Sequence, residues 1–267
     1  GYQLIEQLQQ HKGTVTGVPS GFVDLDEMTS GWQKSDLVIV AARGGLLGHA
    51  ESMQMEVGQI LRESGRLTQY VYFPDRGCIS MSVTIDAQPG LEIGMVGPEG
   101  MLGAHTFLAG RHDPIDARVL GGGSALRIAV ASFRDELARS PRLRDLMERY
   151  LEVSTAQRAT VAGCMHSHAI GPRLARWLLM NQDRRGVSRF AVTQEFMSTL
   201  LGVRRVSVSQ AAHRFQRDGL IAYRRGDMTI LNQPGLEAAS CSCYAADRLA
   251  YAKQMRPGGA RRSRIAS

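Results

Sequence analysis

The spacing of hydrophobic residues divides the chain into a part with short alternating runs and a helical part. From about residue 55 to residue 130, apolar or alternating runs are separated by turn residues at intervals of about 8 to 15 residues. This rhythm predicts an antiparallel β-domain of the roll type. The predicted strand segments are residues 57–61, 69–73, 78–85, 91–96, 117–120 and 125–130.

A long helix is predicted after this β-domain. A short amphipathic helix over residues 132–139 ends at Ser140-Pro141, and residues 142–169 contain no proline and a single glycine, Gly163. A long helix between two domains commonly pairs with its symmetry mate; a helix that merely lies on the β-domain is the alternative. The predicted pairing seam consists of Leu143, Met147, Tyr150, Ser154, Gln157, Val161, Cys164 and His168.

The C-terminal part is predicted to be a winged helix. Thr193 is well placed to cap a helix that reaches Leu201, Gly202 permits a tight reversal, and a second helix follows over residues 203–218. Two short helices joined through a glycine turn form a helix-turn-helix, whose second helix fits the major groove of DNA. Residues 220–231 alternate around Gly226-Asp227 and predict a β-hairpin wing. The inward positions predicted for the second helix are Val206, Ala211 or Ala212, and Phe215.

Composition restricts the class of protein. The chain has 267 residues, of which 43% are hydrophobic, and only four cysteines, so it is not collagen-like, disulfide-rich or intrinsically disordered. No apolar stretch approaches the roughly 18 to 20 residues of a membrane span, and the N-terminus lacks a signal-peptide pattern. We therefore expect a cytoplasmic globular protein with no membrane contact.

The charge is distributed unevenly along the chain. The net charge of +7 favours an anionic partner. Residues 1–42 hold two lysines, no arginine and five acidic residues, a net charge of −3, whereas residues 43–267 hold one lysine, 29 arginines and 20 acidic residues, a net charge of +10. This abrupt change suggests two pieces of different origin.

The first piece resembles the start of a helicase domain. The segment Gly17-Val-Pro-Ser-Gly-Phe-Val-Asp-Leu-Asp26, with Gly31 and an apolar strand over residues 36–42, is similar to the opening of the ATPase domain of DnaB-type replicative helicases. In that family the strand runs into a phosphate-binding loop that contains a lysine and a hydroxyl residue. Here no lysine follows the glycines until Lys253. We therefore interpret residues 1–43 as a helicase-like stub with no activity of its own.

The second piece resembles the Crp/Fnr family of bacterial transcription regulators over about residues 46–250. The segments that carry this resemblance are residues 71–74, 94–103, 173–180, 201–208, 218–221, 226–231, 234–238 and 243–244. The resemblance implies an α+β fold, with an antiparallel β-roll of the cyclic-nucleotide-binding-like jelly-roll type, a long dimerisation helix and a C-terminal winged helix-turn-helix. The predicted parts are the stub (1–43), the β-roll (46–140), the dimerisation helix (141–169), the winged helix DNA-binding domain (171–250) and a basic disordered tail (251–267).

The resemblance also implies the function and the partners. We expect a non-enzymatic, homodimeric regulator that binds a palindromic operator in double-stranded DNA, with RNA polymerase as a further candidate partner. A ligand-binding module without DNA binding and the remnant of an ATP-dependent DNA helicase are the alternatives.

The residues expected to contact DNA lie on the second helix, on the wing and at the cap of the first helix. Arg205 matches a base-reading arginine of the family, and a guanidinium can donate two hydrogen bonds to guanine. Val206 replaces a glutamate and Gln210 replaces an arginine of the family, so we expect an operator that differs from the best-known family site. The expected DNA contacts are Thr193, Arg204, Arg205, Ser207, Ser209, Gln210, Arg214, Arg224 and Arg225.

The effector pocket of the β-roll departs from the family. Members that bind cyclic nucleotides use a glutamate for the ribose and an arginine for the phosphate, but the first position is Ala104 here and the second falls near Asp113 or Pro114. Arg111 and Arg118 are close to the second position. We expect no cyclic nucleotide, and the effector stays unassigned.

The cysteines predict neither a metal nor another cofactor. Along a helix, residues at i and i+2 point apart, so Cys164, His166 and His168 are not expected to converge on one ion. The Cys241-Ser-Cys243 spacing suits neither a zinc ribbon nor a redox motif. The cysteine cluster of iron–sulfur members, which precedes the roll, is missing because the first cysteine is Cys78.

Overall fold

The structure is a computed structural model that describes residues 46–86, 90–108 and 113–255. The helicase-like stub predicted for residues 1–43 and residues 256–267 of the predicted tail lie outside the described residues.

Two antiparallel sheets form the first domain. Residues of both sheets meet in one core, which includes Ile79, Val119 and Ala125. The predicted β-roll is confirmed. The three-stranded sheet has the order β1 (Ala50–Met55), β7 (Gly123–Ala129) and β3 (Tyr70–Pro74), and the four-stranded sheet has the order β2 (Ile60–Arg62), β6 (Asp116–Gly121), β4 (Cys78–Val83) and β5 (Leu91–Val96).

Strand β1 lies outside the predicted strand segments. Its sequence alternates poorly, and only Met55 among its six side chains is buried. The strand forms because β7 offers it a full antiparallel partner, from Ala50 opposite Ile128 to Met55 opposite Gly123. Pairing across the sheet therefore overrides a weak local pattern.

The helices and the wing follow the predicted order. The helices are α1 (Val130–Arg139), α2 (Pro141–Ser167), α3 (Ile170–Arg185), α4 (Gln194–Leu201), α5 (Arg205–Arg217), α6 (Gln233–Ala239) and α7 (Cys243–Gln254), and short 3-10 turns occur at Leu47–His49 and Ala104–Leu108. A third antiparallel sheet has the order β8 (Arg189–Ala191), β10 (Asp227–Ile230) and β9 (Ile221–Arg224). Among the residues that the structure describes, none of the helices combines the length and the apolar character needed to cross a membrane.

The long helix α2 begins at a side-chain cap. Ser140 accepts a hydrogen bond from the backbone N–H of Leu143 at 3.2 Å, and Pro141 occupies the first turn, where its missing N–H costs nothing. The start of the predicted pairing seam is turned inward: Leu143, Met147 and Tyr150 are buried within their own chain. The interpretation of these residues as a dimer seam is wrong, because they are buried within their own chain and the hydroxyl of Tyr150 is hydrogen-bonded to Met101 of the β-roll. Contact with the β-domain is the alternative that the pattern also allowed.

Helix α7 extends into the predicted tail. Residues 251–254 form its last turn, and the hydroxyl of Tyr251 donates a hydrogen bond to the backbone carbonyl of Glu99 in the β-roll. The prediction that disorder begins at residue 251 is therefore wrong, because this aromatic side chain holds the last turn of α7 against the roll.

Polar contacts join the C-terminal domain to the β-roll. The indole Nε1 of Trp177 donates to Glu92 Oε1 at 2.8 Å, and Nε of Arg184 lies 2.7 Å from Glu99 Oε1. Arg185 Nη2 donates to the carbonyl of Leu120 at 2.6 Å. Side chains of α3 therefore fix the base of the winged helix on strands β5 and β6 and the loop after β5.

Candidate nucleic-acid interface

The helix-turn-helix is built from α4, a glycine turn and α5. Thr193 caps α4, since its Oγ1 accepts a hydrogen bond from the N–H of Phe196 at 3.1 Å. Gly202 ends α4 with a φ of +63°, a left-handed conformation that glycine adopts without steric cost. Helix α5 begins at Arg205, two residues later than predicted, because Arg204 is still extended with a ψ of 140°.

The inner face of α5 packs on the core of the domain. Val208, Ala211, Ala212 and Phe215 are buried at steps of three and four residues. The prediction that Val206 points inward is wrong, because its side chain is 64% exposed. Val206 precedes Val208 by two residues, which places it on nearly the opposite side of the helix.

The outer face of α5 carries the predicted DNA contacts. Arg204, Arg205, Gln210 and Arg214 are exposed, and Ser207 and Ser209 are half-buried. His213 is not among the predicted contacts, although it is exposed and follows Val206 and Gln210 at helical spacing. The step of seven residues from Val206 to His213 is the signal that could have identified it.

The wing is a tight hairpin whose tip lies beside the start of α4. Asp227 pairs with Arg224, so the two-residue turn is Arg225-Gly226, one residue earlier than predicted, with φ values of +51° and +83°. The N–H of Val192 donates to the Gly226 carbonyl at 2.7 Å. The predicted phosphate contacts Thr193, Arg224 and Arg225 are therefore brought to one region, and all three side chains are exposed.

Some arginines of this region form ion pairs with neighbouring carboxylates of the same chain. Arg189 binds Asp227 at 2.5 Å and holds the pKa of that carboxyl below its usual range. Arg217 lies 3.3 Å from Asp218. Within the described ranges, none of the ion pairs involves the five remaining arginines of α5, its cap and the wing, which are Arg204, Arg205, Arg214, Arg224 and Arg225. These cations are available to an anionic partner.

The part of the β-roll where the sequence placed a degenerate effector pocket holds a largely buried polar network. Asp113 lies 3.0 Å from Arg62 Nη1 and 2.9 Å from His105 Nδ1, and Thr68 contacts the other ring nitrogen of His105 at 3.0 Å. Burial acts to raise the pKa of Asp113, but the hydrogen bond from His105 and the charge of Arg62 outweigh it and lower the pKa. Asp113 therefore pairs with both basic side chains of this network, while Nη2 of Arg62 is buried without a hydrogen-bond partner among the described residues.

The residues considered for nucleotide binding take other roles. Ala104 is buried in the 3-10 turn, and Arg118 is exposed and donates to the carbonyl of Gly58 at 2.9 Å. Arg111 lies outside the described residues.

Three cysteines and one histidine meet at the junction of α2 with the C-terminal domain. One ligand atom each of Cys164, His168, Cys241 and Cys243 lies within 4.8 Å of the other three. We call this group the Cys–His cluster. The prediction that Cys164, His166 and His168 do not converge is wrong for Cys164 and His168, because residues four apart share a helix face. His166, two residues from each, is exposed and lies outside the cluster.

Comparisons with known proteins match two separate parts of the chain. Residues 172–239 match the model of the Crp-like helix-turn-helix domain, and residues 17–69 match that of the DnaB-like helicase C terminal domain. Over 42 residues the chain is 60% identical to the replicative DNA helicase DnaC of Bacillus subtilis and to DnaB of Geobacillus stearothermophilus. These matches cover 16% of this chain and only 9% of each helicase.

Solved structures with a similar fold include regulators of the Crp/Fnr family. FixK2 from Bradyrhizobium japonicum has a TM-score of 0.62 at 13% identity, with 72% of this chain and 98% of that chain covered. A regulator of the CRP/FNR family from Thermus thermophilus has a TM-score of 0.55 at 14% identity, with 71% and 98% covered. The c-di-GMP responsive regulator CLP of Xanthomonas campestris has a TM-score of 0.57 at 15% identity, with 69% and 95% covered.

Both resemblances predicted from the sequence are therefore confirmed. The helix-turn-helix model matches the C-terminal part of the chain, and the fold is the one seen in a regulator of the Crp/Fnr family. The chain has the Crp/Fnr fold with a Crp-like helix-turn-helix domain, and it also carries an N-terminal segment similar to the DnaB-like helicase domain.

Proposed function

We propose that this protein is a sequence-specific, DNA-binding transcription regulator that acts in the cytoplasm. The observation that carries the proposal is the set of five exposed arginines on α5, its cap and the wing, within a Crp-like helix-turn-helix, which form no ion pair with the part of the chain that the structure describes. A helix-turn-helix of this type docks with its second helix in the major groove and the N-terminal residues of that helix on base edges. Helix α5 begins with Arg205, so its positive end and its arginine point toward the same partner.

The exposed face of α5 would read the base sequence. Arg205 can donate two hydrogen bonds to O6 and N7 of guanine, and Gln210 suits adenine. Val206 is 64% exposed between them and can contact the methyl group of thymine. Ser207, Ser209 and Arg214 flank this row and would add contacts to bases or phosphates.

The wing and the cap of α4 would hold the DNA backbone. Thr193, Arg224 and Arg225 converge on one region, and contacts of this kind fix the orientation of a protein on the duplex without reading sequence. Arginines at the tip of a hairpin reach phosphates more readily than bases, so we expect Arg224 and Arg225 to raise the affinity for any DNA sequence to a similar extent.

We propose that the protein is a homodimer that pairs through the exposed face of α2. The opposite face is buried in the same chain, whereas Thr155, Ala156, Ala159, Ala162 and Gly163 are exposed or half-exposed small residues on the other side. Small side chains allow two helices to approach closely. Two copies would then present two α5 helices to a palindromic operator.

We propose that the β-roll does not bind cyclic nucleotides. A phosphate needs an unpaired cation, but Arg62 is already bound by Asp113 at 3.0 Å within a buried network. The ribose position is the buried Ala104, which offers no hydrogen-bonding side chain.

The proposal is tested by selecting duplexes from a random library with the purified protein and sequencing them. We expect an enriched two-fold symmetric motif whose half-sites are about 10 base pairs apart, and two chains per selected duplex by analytical ultracentrifugation. A library with no enriched motif, over a range of salt concentrations and with cell extract added to supply an effector, would contradict the proposal.

The wing contribution is tested separately with Arg225→Asn. Asparagine followed by glycine is well suited to this turn, so the variant should keep the hairpin while it loses one charge. The slope of log affinity against log salt should become shallower by about one unit. Arg66→Ala is the matched control, because it removes an exposed arginine of the β-roll that is paired with Glu63. An equal change of slope in both variants would contradict the assigned contact.

A further inference from the structure

The Cys–His cluster has the distances of a metal site. Cys164 Sγ lies 3.6 Å from Cys241 Sγ, and Cys243 Sγ lies 3.7 Å from His168 Nδ1. A tetrahedral zinc ion with ordinary Zn–S and Zn–N bonds separates its ligand atoms by about 3.5 to 3.8 Å. All four ligand atoms lie within 4.8 Å of one another, so one ion can reach them with small side-chain adjustments.

We propose that Cys164, His168, Cys241 and Cys243 bind one Zn²⁺ ion as a closed structural site. Three sulfur ligands and one imidazole nitrogen form one of the ligand sets of structural zinc sites. Soft thiolate ligands in tetrahedral geometry favour zinc over the hard cations Mg²⁺ and Ca²⁺. With four protein ligands no position is open to a substrate, so the role of the ion is structural rather than catalytic.

The surroundings of the cluster accommodate its charge. Three thiolates and one Zn²⁺ ion carry a net charge of −1. Arg173 and Arg176 are electrostatic neighbours of Cys164 and Cys241. Arg176 is paired with Asp247 at 2.5 Å, whereas Arg173 donates to the neutral carbonyl of Leu201 and keeps its positive charge. Cys164 and Cys241 are buried, which protects the ligands from water.

The proposed site would join two parts of the chain that are distant in sequence. Cys164 and His168 lie at the end of α2, where the His168 N–H donates to the Cys164 carbonyl at 3.1 Å. Cys241 follows Cys164 by 77 residues and lies just before α7, and Cys243 is the first residue of α7. An ion bound here fixes the C-terminal domain to the long helix, and it stabilises the folded state because the unfolded chain does not hold the four ligands together.

Metal content tests the proposal independently of DNA binding. The full chain is purified under reducing conditions without a metal-affinity tag, and its metals are measured by mass spectrometry. We expect about one zinc ion per chain. Reduced, metal-free protein should bind Co²⁺ with the strong visible absorption of tetrahedral thiolate coordination. Removal of zinc by a chelator should lower the melting temperature of the wild-type protein.

Matched variants keep the test decisive if a ligand mutant folds poorly. Cys243→Ser should lose the zinc, Cys243→His should restore it as a two-cysteine, two-histidine site, and Cys78→Ser should retain it because Cys78 is buried outside the cluster. The proposal is overturned if reduced wild-type protein holds no zinc and gives no cobalt absorption. A Cys164–Cys241 disulfide in protein kept under reducing conditions, or another metal retained in preference to zinc, would also overturn it.

Discussion

The replacement Glu92→Gln tests the buried junction between the β-roll and the winged helix. Glu92 accepts hydrogen bonds from the hydroxyl of Ser80 and from Trp177 Nε1, the latter at 2.8 Å. Burial raises its pKa from 4.5 to about 7, against the opposing effects of these hydrogen bonds and of the charges of Arg184 and Arg176. A glutamine can accept from the indole and donate to Ser80, so it fits the same contacts without a charge.

The magnitude follows from the difference between the folded and unfolded pKa values. Between pH 4.5 and 7 the folded chain binds the Glu92 proton more tightly than the unfolded chain, so the free energy of unfolding falls as pH rises through this window. The loss is complete above pH 7 and amounts to about 3 kcal/mol. Glu92→Gln should therefore be more stable than the wild type by at most about 1 kcal/mol at pH 5 and by about 3 kcal/mol at pH 8.

Urea denaturation of both proteins at pH 5 and pH 8 measures this difference. Subtracting the two curves removes the titration of all groups that the proteins share. Glu148→Gln, an equivalent change on the exposed face of α2, is the control and should change stability little at either pH. The reasoning is refuted if Glu92→Gln is no more stable than the wild type at pH 8, or if its advantage is the same at both pH values.

Three further substitutions test local features of the fold by denaturation. Thr193→Ala should lower the free energy of unfolding by about 1 kcal/mol through loss of the α4 cap, and Thr193→Ser should retain the cap; equal losses would contradict the capping role. Gly202→Ala should cost about 1 to 2 kcal/mol, because φ is +63° and its Cβ would approach Leu91 Cδ1 to 2.6 Å; a neutral result would contradict the turn. Tyr150→Phe should lower the free energy of unfolding by about 1 to 3 kcal/mol, because the buried hydroxyl accepts from the Met101 N–H at 3.0 Å and donates to the Met101 carbonyl at 3.1 Å. Unchanged stability would contradict the role of these two hydrogen bonds.

The sequence predicted the fold wherever the pattern is local. The alternating runs predicted most strands of the roll, and Thr193 and Gly202 marked the two ends of α4 because caps act through neighbouring residues. Strand β1 was missed because its formation depends on pairing with β7, which comes about 70 residues later. The orientation of Val206 was wrong because one apolar residue near a helix end does not fix the phase of the helix.

The DNA-binding surface and the Cys–His cluster also differ in how far the local sequence pattern could predict them. Most of the predicted DNA contacts are exposed, since they follow one short helix and one hairpin whose geometry is nearly fixed. The Cys–His cluster could not be predicted from spacing, because Cys164 and Cys241 are 77 residues apart and meet only when α7 packs on α2. Long-range packing, rather than local propensity, decides such a site.

The specificity of Arg205→Ala tests the central claim most directly. The affinities of wild type and variant are measured for the selected duplex and for an unrelated duplex at equal salt concentration. Loss of a bidentate contact to guanine should reduce the difference in binding free energy between the two duplexes by about 1 to 3 kcal/mol. Arg66→Ala should leave this difference unchanged. A difference that stays the same in folded Arg205→Ala protein would contradict the account that α5 reads the base sequence.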